Sequence, residues 1–177
     1  MFSKILVALD QGDTYIPLFQ AAVKLAQATS AELMLLSVVA PQSEEGLTIP
    51  VASGLAHCSL SANEAIWEAY QKNLRGYEEQ GLKRLRSLSE EAALLGLQAE
   101  FTQSFGSPER VICDLARTWA ADLIMVGSHQ RTGFSEWVMG SVSNYVLHHA
   151  PCSVLMINRL TGQPATSPSA ELAARES

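Results

Sequence analysis

The residues best suited to chemistry lie in one glycine-containing segment. An apolar run from Leu123 leads into Val126-Gly127-Ser128-His129-Gln130-Arg131-Thr132-Gly133, and Gly140-Ser141-Val142-Ser143 follows where a helical pattern begins. Main-chain N–H groups in a glycine turn and the positive end of a helix both favour anions. The pattern therefore predicts a phosphate site, and hence nucleotide binding, without indicating a reaction.

Two common phosphate motifs are absent from this segment. No Gly-Lys-Ser/Thr follows the glycines, which excludes a Walker A loop, and the spacing is not the Gly-x-Gly-x-x-Gly of dinucleotide sites. The Ser141 and Ser143 hydroxyls add donors at the helix start, and the Arg131 guanidinium has the fork of N–H groups that suits phosphate. An exposed, solvated Arg131 is the alternative interpretation.

Two further side chains have a chemical and a structural interpretation. Asp10 directly follows the apolar run 5–9; its carboxylate could accept from ribose hydroxyls or help to hold a divalent ion, or it could simply cap a turn. His129 could transfer protons, or it could be a surface histidine that supports the loop. Because no partner for His129 and no histidine or cysteine spacing typical of metal sites is evident, we assign no catalytic residue and no metal site.

Strand and helix patterns alternate along the chain. The patterns predict strands at 5–9, 32–39, 97–104, 123–126 and 153–157, with helices between them; a long amphipathic helix is stopped by Gly96. Such alternation is typical of an α/β fold with a mostly or wholly parallel sheet covered on both faces. If the first and fourth strands are neighbours, Asp10 and Gly127 face one crevice.

Composition limits the function classes. The chain has 177 residues and a net charge of -6, which argues against a general nucleic-acid binder. Residues 1–159 are expected to form one domain and 160–177 a disordered tail. Three cysteines without metal spacing suit a reducing compartment, no apolar run approaches the length of a membrane span, and no signal peptide is visible. We expect a cytoplasmic protein.

Three segments resemble the universal stress protein family. They are Lys4-Ile5-Leu6-Val7-Ala8-Leu9-Asp10, the glycine segment with Gly140-Ser141-Val142-Ser143, and Ala150-Pro151-Cys152-Ser153-Val154-Leu155, and the resemblance covers roughly residues 2–158. It implies an open, Rossmann-like five-stranded parallel sheet in the order 3-2-1-4-5, and a homodimer. One branch of the family binds ATP through Gly-x-x-Gly, nine residues and Gly-Ser/Thr; another branch lacks this motif and does not bind ATP.

The resemblance also implies a set of nucleotide-binding positions. Asp10 would face the ribose, Val38 would offer backbone groups to adenine, and the glycine steps would surround the phosphates. The complete set is Ala8, Leu9, Asp10, Val38, Val126, Gly127, Gln130, Arg131, Gly140, Ser141, Val142 and Ser143.

This chain departs from the family pattern at Gln130, which stands where the second glycine is expected. If that position needs a positive φ, glutamine adds strain of about 1 kcal/mol or more, and its Cβ would narrow the phosphate channel. AMP or ADP is therefore favoured over ATP, Mg²⁺ would bind through the phosphates, and a cyclic adenine dinucleotide stays open.

The leading interpretation is a stress-response regulator that binds an adenine nucleotide and turns it over slowly, if at all. The alternatives are a weak ATPase or nucleotidyl-transfer enzyme and a nucleotide-free dimeric scaffold. The last strand, Val154–Ile157, is an apolar edge in the family order, so we expect it to pair with a second copy.

Overall fold

The computed structural model describes residues 2–10, 15–40, 60–128 and 140–158. The strands are β1 (Lys4–Leu9), β2 (Glu32–Val39), β3 (Ala99–Phe105), β4 (Leu123–Ser128) and β5 (Ser153–Asn158). The helices are α1 (Tyr15–Thr29), α2 (Leu60–Leu94), α3 (Pro108–Thr118) and α4 (Ser141–His149). The predicted alternation of strand and helix is confirmed, whereas the tail at 160–177 lies outside the described residues.

The strands form one parallel sheet in the order β3-β2-β1-β4-β5. The chain adds β2 and β3 on one side of β1, then crosses over to add β4 and β5 on the other. The strand order therefore reverses between β1 and β4, and ligands of open α/β sheets bind beyond the C-terminal strand ends at such a reversal. The predicted sheet, including its order, is confirmed.

Helices cover both faces of the sheet. Side chains of β1 alternate between two cores: Ile5, Val7 and Leu9 pack with α1 and α2, and Leu6 and Ala8 pack with α3 and α4. This double burial explains why the 5–9 run is apolar without a polar interruption.

Two strand boundaries differ by two residues from the predicted ones, and three others differ by a single residue. The third strand starts at Ala99 rather than residue 97, because Gly96 ends α2 at φ 78 and the Leu97 amide donates to the Ala92 carbonyl at 3.1 Å. The fourth strand continues past Val126 to residue 128, where it still pairs with β5. The fourth strand extends into the glycine segment because Gly127 and residue 128 pair with β5. The local sequence pattern contains no information about this pairing.

The N-terminal edge of the sheet is braced by the Asp122 carboxylate. It accepts hydrogen bonds from the Ser3 hydroxyl and amide, both at 2.7 Å, and from the Lys4 amide at 3.2 Å. Burial by itself raises the pKa of the Asp122 carboxyl, but these hydrogen bonds outweigh it, so the pKa lies below its ordinary value. The carboxylate is thus held in its charged form where β1 and β4 begin.

Among the described residues, no helix combines the length and apolar character needed to cross a membrane.

Candidate functional site

The C-terminal ends of β1 and β4 lie side by side. Their pairing runs from Ile5 opposite Leu123 to Ala8 opposite Val126. Asp10 follows the end of one strand, and Gly127 lies at the end of its neighbour. The first and fourth strands are therefore neighbours, which is the condition for Asp10 and Gly127 to face one crevice.

Several of the predicted site residues share one face of the sheet. Ala8, Val38 and Val126 belong to the core under α3 and α4, and Val142 of α4 packs against the same cluster. They form an apolar surface beside the switch point. Leu9 points to the opposite face, where it is 4% exposed in the core under α1 and α2. Only its main chain can take part in a site on the α4 side.

One hydrogen bond joins the two glycine steps. The Ser143 hydroxyl, on a side chain that is 5% exposed, donates to the Gly127 carbonyl at 3.1 Å. The bond holds the first turn of α4 against the end of β4. Because a hydroxyl has a single proton, Ser143 can donate to a phosphate only by giving up this bond.

The start of α4 leaves donors directed out of the helix. The first intrahelical bond runs from the Asn144 amide to the Gly140 carbonyl at 3.0 Å, so the amides of residues 141–143 have no acceptor within the helix. Ser141 is exposed at this end, and no acidic residue lies in the first turn. The positive end of the helix dipole is therefore not neutralised from within α4.

Gly140 has no conformational reason to be glycine. Its φ of -62 and ψ of 157 are accessible to any residue, and a Cβ there would have no described atom within 4 Å. Among the described residues, neither backbone strain nor packing requires glycine here, which fits a position that a ligand approaches closely.

Three of the predicted chemical side chains cannot be placed. His129, Gln130 and Arg131 lie outside the described residues, as does the rest of the segment 129–139. The effect of Gln130 on the phosphate channel stays a prediction. Within the described ranges, no group of three or more His, Cys, Asp or Glu side chains is arranged to hold a metal ion.

Arg84 of α2 was not anticipated from the sequence. Its Nη1 donates to the Asp10 carbonyl at 3.4 Å, and its guanidinium carbon lies 4.6 Å from the centre of the Tyr15 ring. The helical period of the sequence could have indicated that Arg84 faces the sheet. Arg84 lies three residues after the buried Gly81 and four before the buried Leu88. A cation on the sheet side of an amphipathic helix needs a partner there.

Comparison with known proteins identifies the family and the fold. The universal stress protein family profile matches residues 1–158. The universal stress protein YxiE of Bacillus subtilis is 34% identical over 157 residues, which are 89% of this chain and 99% of YxiE.

Two solved structures share the architecture. The Arabidopsis thaliana family protein At3g01520, solved with AMP bound, superposes with a TM-score of 0.61 at 18% identity and covers 94% of this chain and 98% of its own. A universal stress protein solved in complex with cAMP superposes with a TM-score of 0.56 at 21% identity. The match covers 89% of this chain and 97% of that protein. At these identities the likeness establishes the fold. With the family profile spanning both glycine steps and all five strands, this chain belongs to the universal stress protein family.

Proposed function

We propose that this protein binds an adenine nucleotide at the C-terminal ends of β1 and β4 and acts as a stress-response regulator. The observation that carries the proposal is the Ser143 to Gly127 hydrogen bond of 3.1 Å, which joins both glycine steps at the strand-order reversal. The family relationship supports it, as do the two fold neighbours solved with AMP and with cAMP.

The nucleoside is assigned to the apolar side of the site. Ala8, Val126 and Val142 provide a surface for it, Val38 offers backbone groups to adenine, and Leu9 contributes through its main chain. The carboxylate of the neighbouring residue 10 accepts from a ribose hydroxyl.

The phosphates are assigned to the start of α4. Gly140 leaves room for close approach, and the amides of residues 141–143 supply donors. The exposed Ser141 hydroxyl adds a donor without breaking a structural bond, whereas Ser143 remains on Gly127. Gln130 and Arg131 complete the proposed set from the adjoining segment.

AMP or ADP is the favoured ligand, because Gln130 replaces the glycine that the ATP-binding pattern has at that position. Mg²⁺ would enter with the phosphates of a longer nucleotide. We assign no catalytic residue, so hydrolysis, if present, is slow. The free thiols Cys113 and Cys152 fit the cytoplasmic location that we propose.

Calorimetric titration with AMP, ADP and ATP tests the proposal. The unaltered chain should bind at least one of them, and Asp10→Asn should weaken binding about tenfold, the equivalent of one lost hydrogen bond to a charged group. Glu91→Gln is the matched control, because Glu91 is an exposed acid on α2 with no contact to the site. Absence of heat with all three nucleotides would contradict the proposal.

Self-association through β5 is part of the same proposal. β5 pairs with β4 on one side and forms an edge of the described sheet, and Leu155 in its centre is 38% exposed. An apolar edge of this kind invites pairing with a second copy. Sedimentation should give a dimer at micromolar concentration and a monomer for Leu155→Glu; a monomeric unaltered chain would remove the dimer from the proposal.

A further inference from the structure

Arg84 connects three elements near the C-terminal ends of the strands, where the nucleotide site is proposed. It extends from α2, donates through Nη1 to the Asp10 carbonyl after the end of β1, and places its guanidinium over the Tyr15 ring in the first turn of α1. Asp10 and Tyr15 flank residues 11–14. A single guanidinium thus holds the chain on both sides of that short segment.

The chemistry of this contact requires arginine in particular. A guanidinium is planar, so it can lie over the Tyr15 ring while an N–H in the same plane reaches the Asp10 carbonyl. Lysine keeps the positive charge but has no plane to stack and no fork of donors. Methionine keeps much of the apolar stem and loses both interactions.

The contact determines how Asp10 is presented. Arg84 engages the main-chain carbonyl of Asp10 through Nη1. Holding that carbonyl restrains the main chain at Asp10 and therefore the direction of its Cα–Cβ bond. One carboxylate oxygen, Oδ1, is buried. Arg84 therefore acts on the direction of the carboxylate rather than on the ligand itself.

We propose that Arg84 is a positioning residue that aims the Asp10 carboxylate at a ribose hydroxyl, so that α2, outside both glycine steps, determines ribose recognition. This inference rests on the proposed adenine-nucleotide function. It makes ribose selectivity depend on a side chain that lies 74 residues from Asp10 in the sequence.

The test compares AMP with 2′-deoxy-AMP and 3′-deoxy-AMP by calorimetry on the full chain. The unaltered chain should bind AMP about tenfold more tightly than one of the two deoxy forms, which is the value of one hydroxyl hydrogen bond. Arg84→Met should reduce this ratio to about twofold or less, mainly by weakening AMP. Arg84→Lys should give an intermediate ratio.

Two further variants separate positioning from a general structural role. Arg86→Met removes an exposed arginine two residues further along the same helix and should keep the AMP-to-deoxy-AMP affinity ratio of the unaltered chain. Asp10→Asn alone should abolish the preference for AMP over the deoxy form. Adding Arg84→Met to Asp10→Asn should not change the affinity ratio further. Thermal unfolding of each variant reports stability separately.

The outcomes are distinct. Equal weakening of AMP and both deoxy forms by Arg84→Met, or an unchanged ratio, overturns the inference and leaves the proposed function standing. If Arg84→Met does not fold, an unchanged ratio in Arg84→Lys overturns it and an intermediate ratio supports it. If the unaltered chain binds none of the three nucleotides, both the inference and the proposed function fail.

Discussion

Replacing Ser143 by alanine should lower the free energy of unfolding by about 1–2 kcal/mol. The substitution removes the hydroxyl that donates to the Gly127 carbonyl at 3.1 Å, from a side chain that is 5% exposed. A net hydrogen bond contributes about 0.5–1.5 kcal/mol, and a buried acceptor left without a donor costs about 1–3 kcal/mol. Gly127 is only partly buried, so water can satisfy its carbonyl in part, which favours the lower end of that range.

Urea denaturation measures this directly. For a domain of this size, the same loss corresponds to a fall in melting temperature of about 3–6 °C. The m-value should not change, since the substitution alters one contact rather than the extent of the fold. Ser141→Ala is the control: Ser141 lies in the same turn but is exposed, so its replacement should change stability by less than about 0.5 kcal/mol.

Nucleotide binding then separates the two serines further. Ser141→Ala should weaken AMP binding at unchanged stability, because its hydroxyl is assigned to the ligand and not to the fold. The reasoning is refuted if Ser143→Ala is as stable as the unaltered chain, or if the two serine variants lose equal stability.

Two other predictions concern stability. At Gly76 of α2 an added methyl group would meet no described atom within 4 Å, so Gly76→Ala should stabilise by about 0.5–1 kcal/mol in urea denaturation. Gly81→Ala should gain less, because its methyl group would overlap Nε2 of Gln103; equal gains would contradict this packing. The lowered pKa of Asp122 contributes stability that is present above its unfolded-state pKa of 3.8 and lost as pH falls through the folded pKa. Between pH 6 and 3 the unaltered chain should lose up to about 1 kcal/mol more stability than Asp122→Asn, a modest value because the hydrogen bonds to Ser3 are exposed. Parallel pH profiles of the two proteins would argue against this prediction.

The sheet could be predicted from the sequence because its signals are local. Continuous apolar runs such as 5–9 and 123–126 are typical of strands covered on both faces, and the segments between them have helical periods. Strand order is a different matter, since no run carries information about its neighbour. The order came from the family resemblance, and the pairing of Ala8 with Val126 then confirmed that the first and fourth strands adjoin.

The candidate site was predictable in composition but not in its contacts. The glycine steps and Asp10 are visible as motifs, whereas the Ser143 to Gly127 bond and the reach of Arg84 to Asp10 depend on elements that meet only in the folded chain. The side-chain direction of Leu9 also follows from the register of β1 and not from its residue type.

A crystal structure of the full chain grown with millimolar AMP tests the central claim most directly. The account predicts adenosine against Ala8, Val38 and Val126, with Asp10 on a ribose hydroxyl and the phosphate at the amides of residues 141–143. AMP bound elsewhere, or only solvent between the ends of β1 and β4 and the start of α4, would contradict the proposed site.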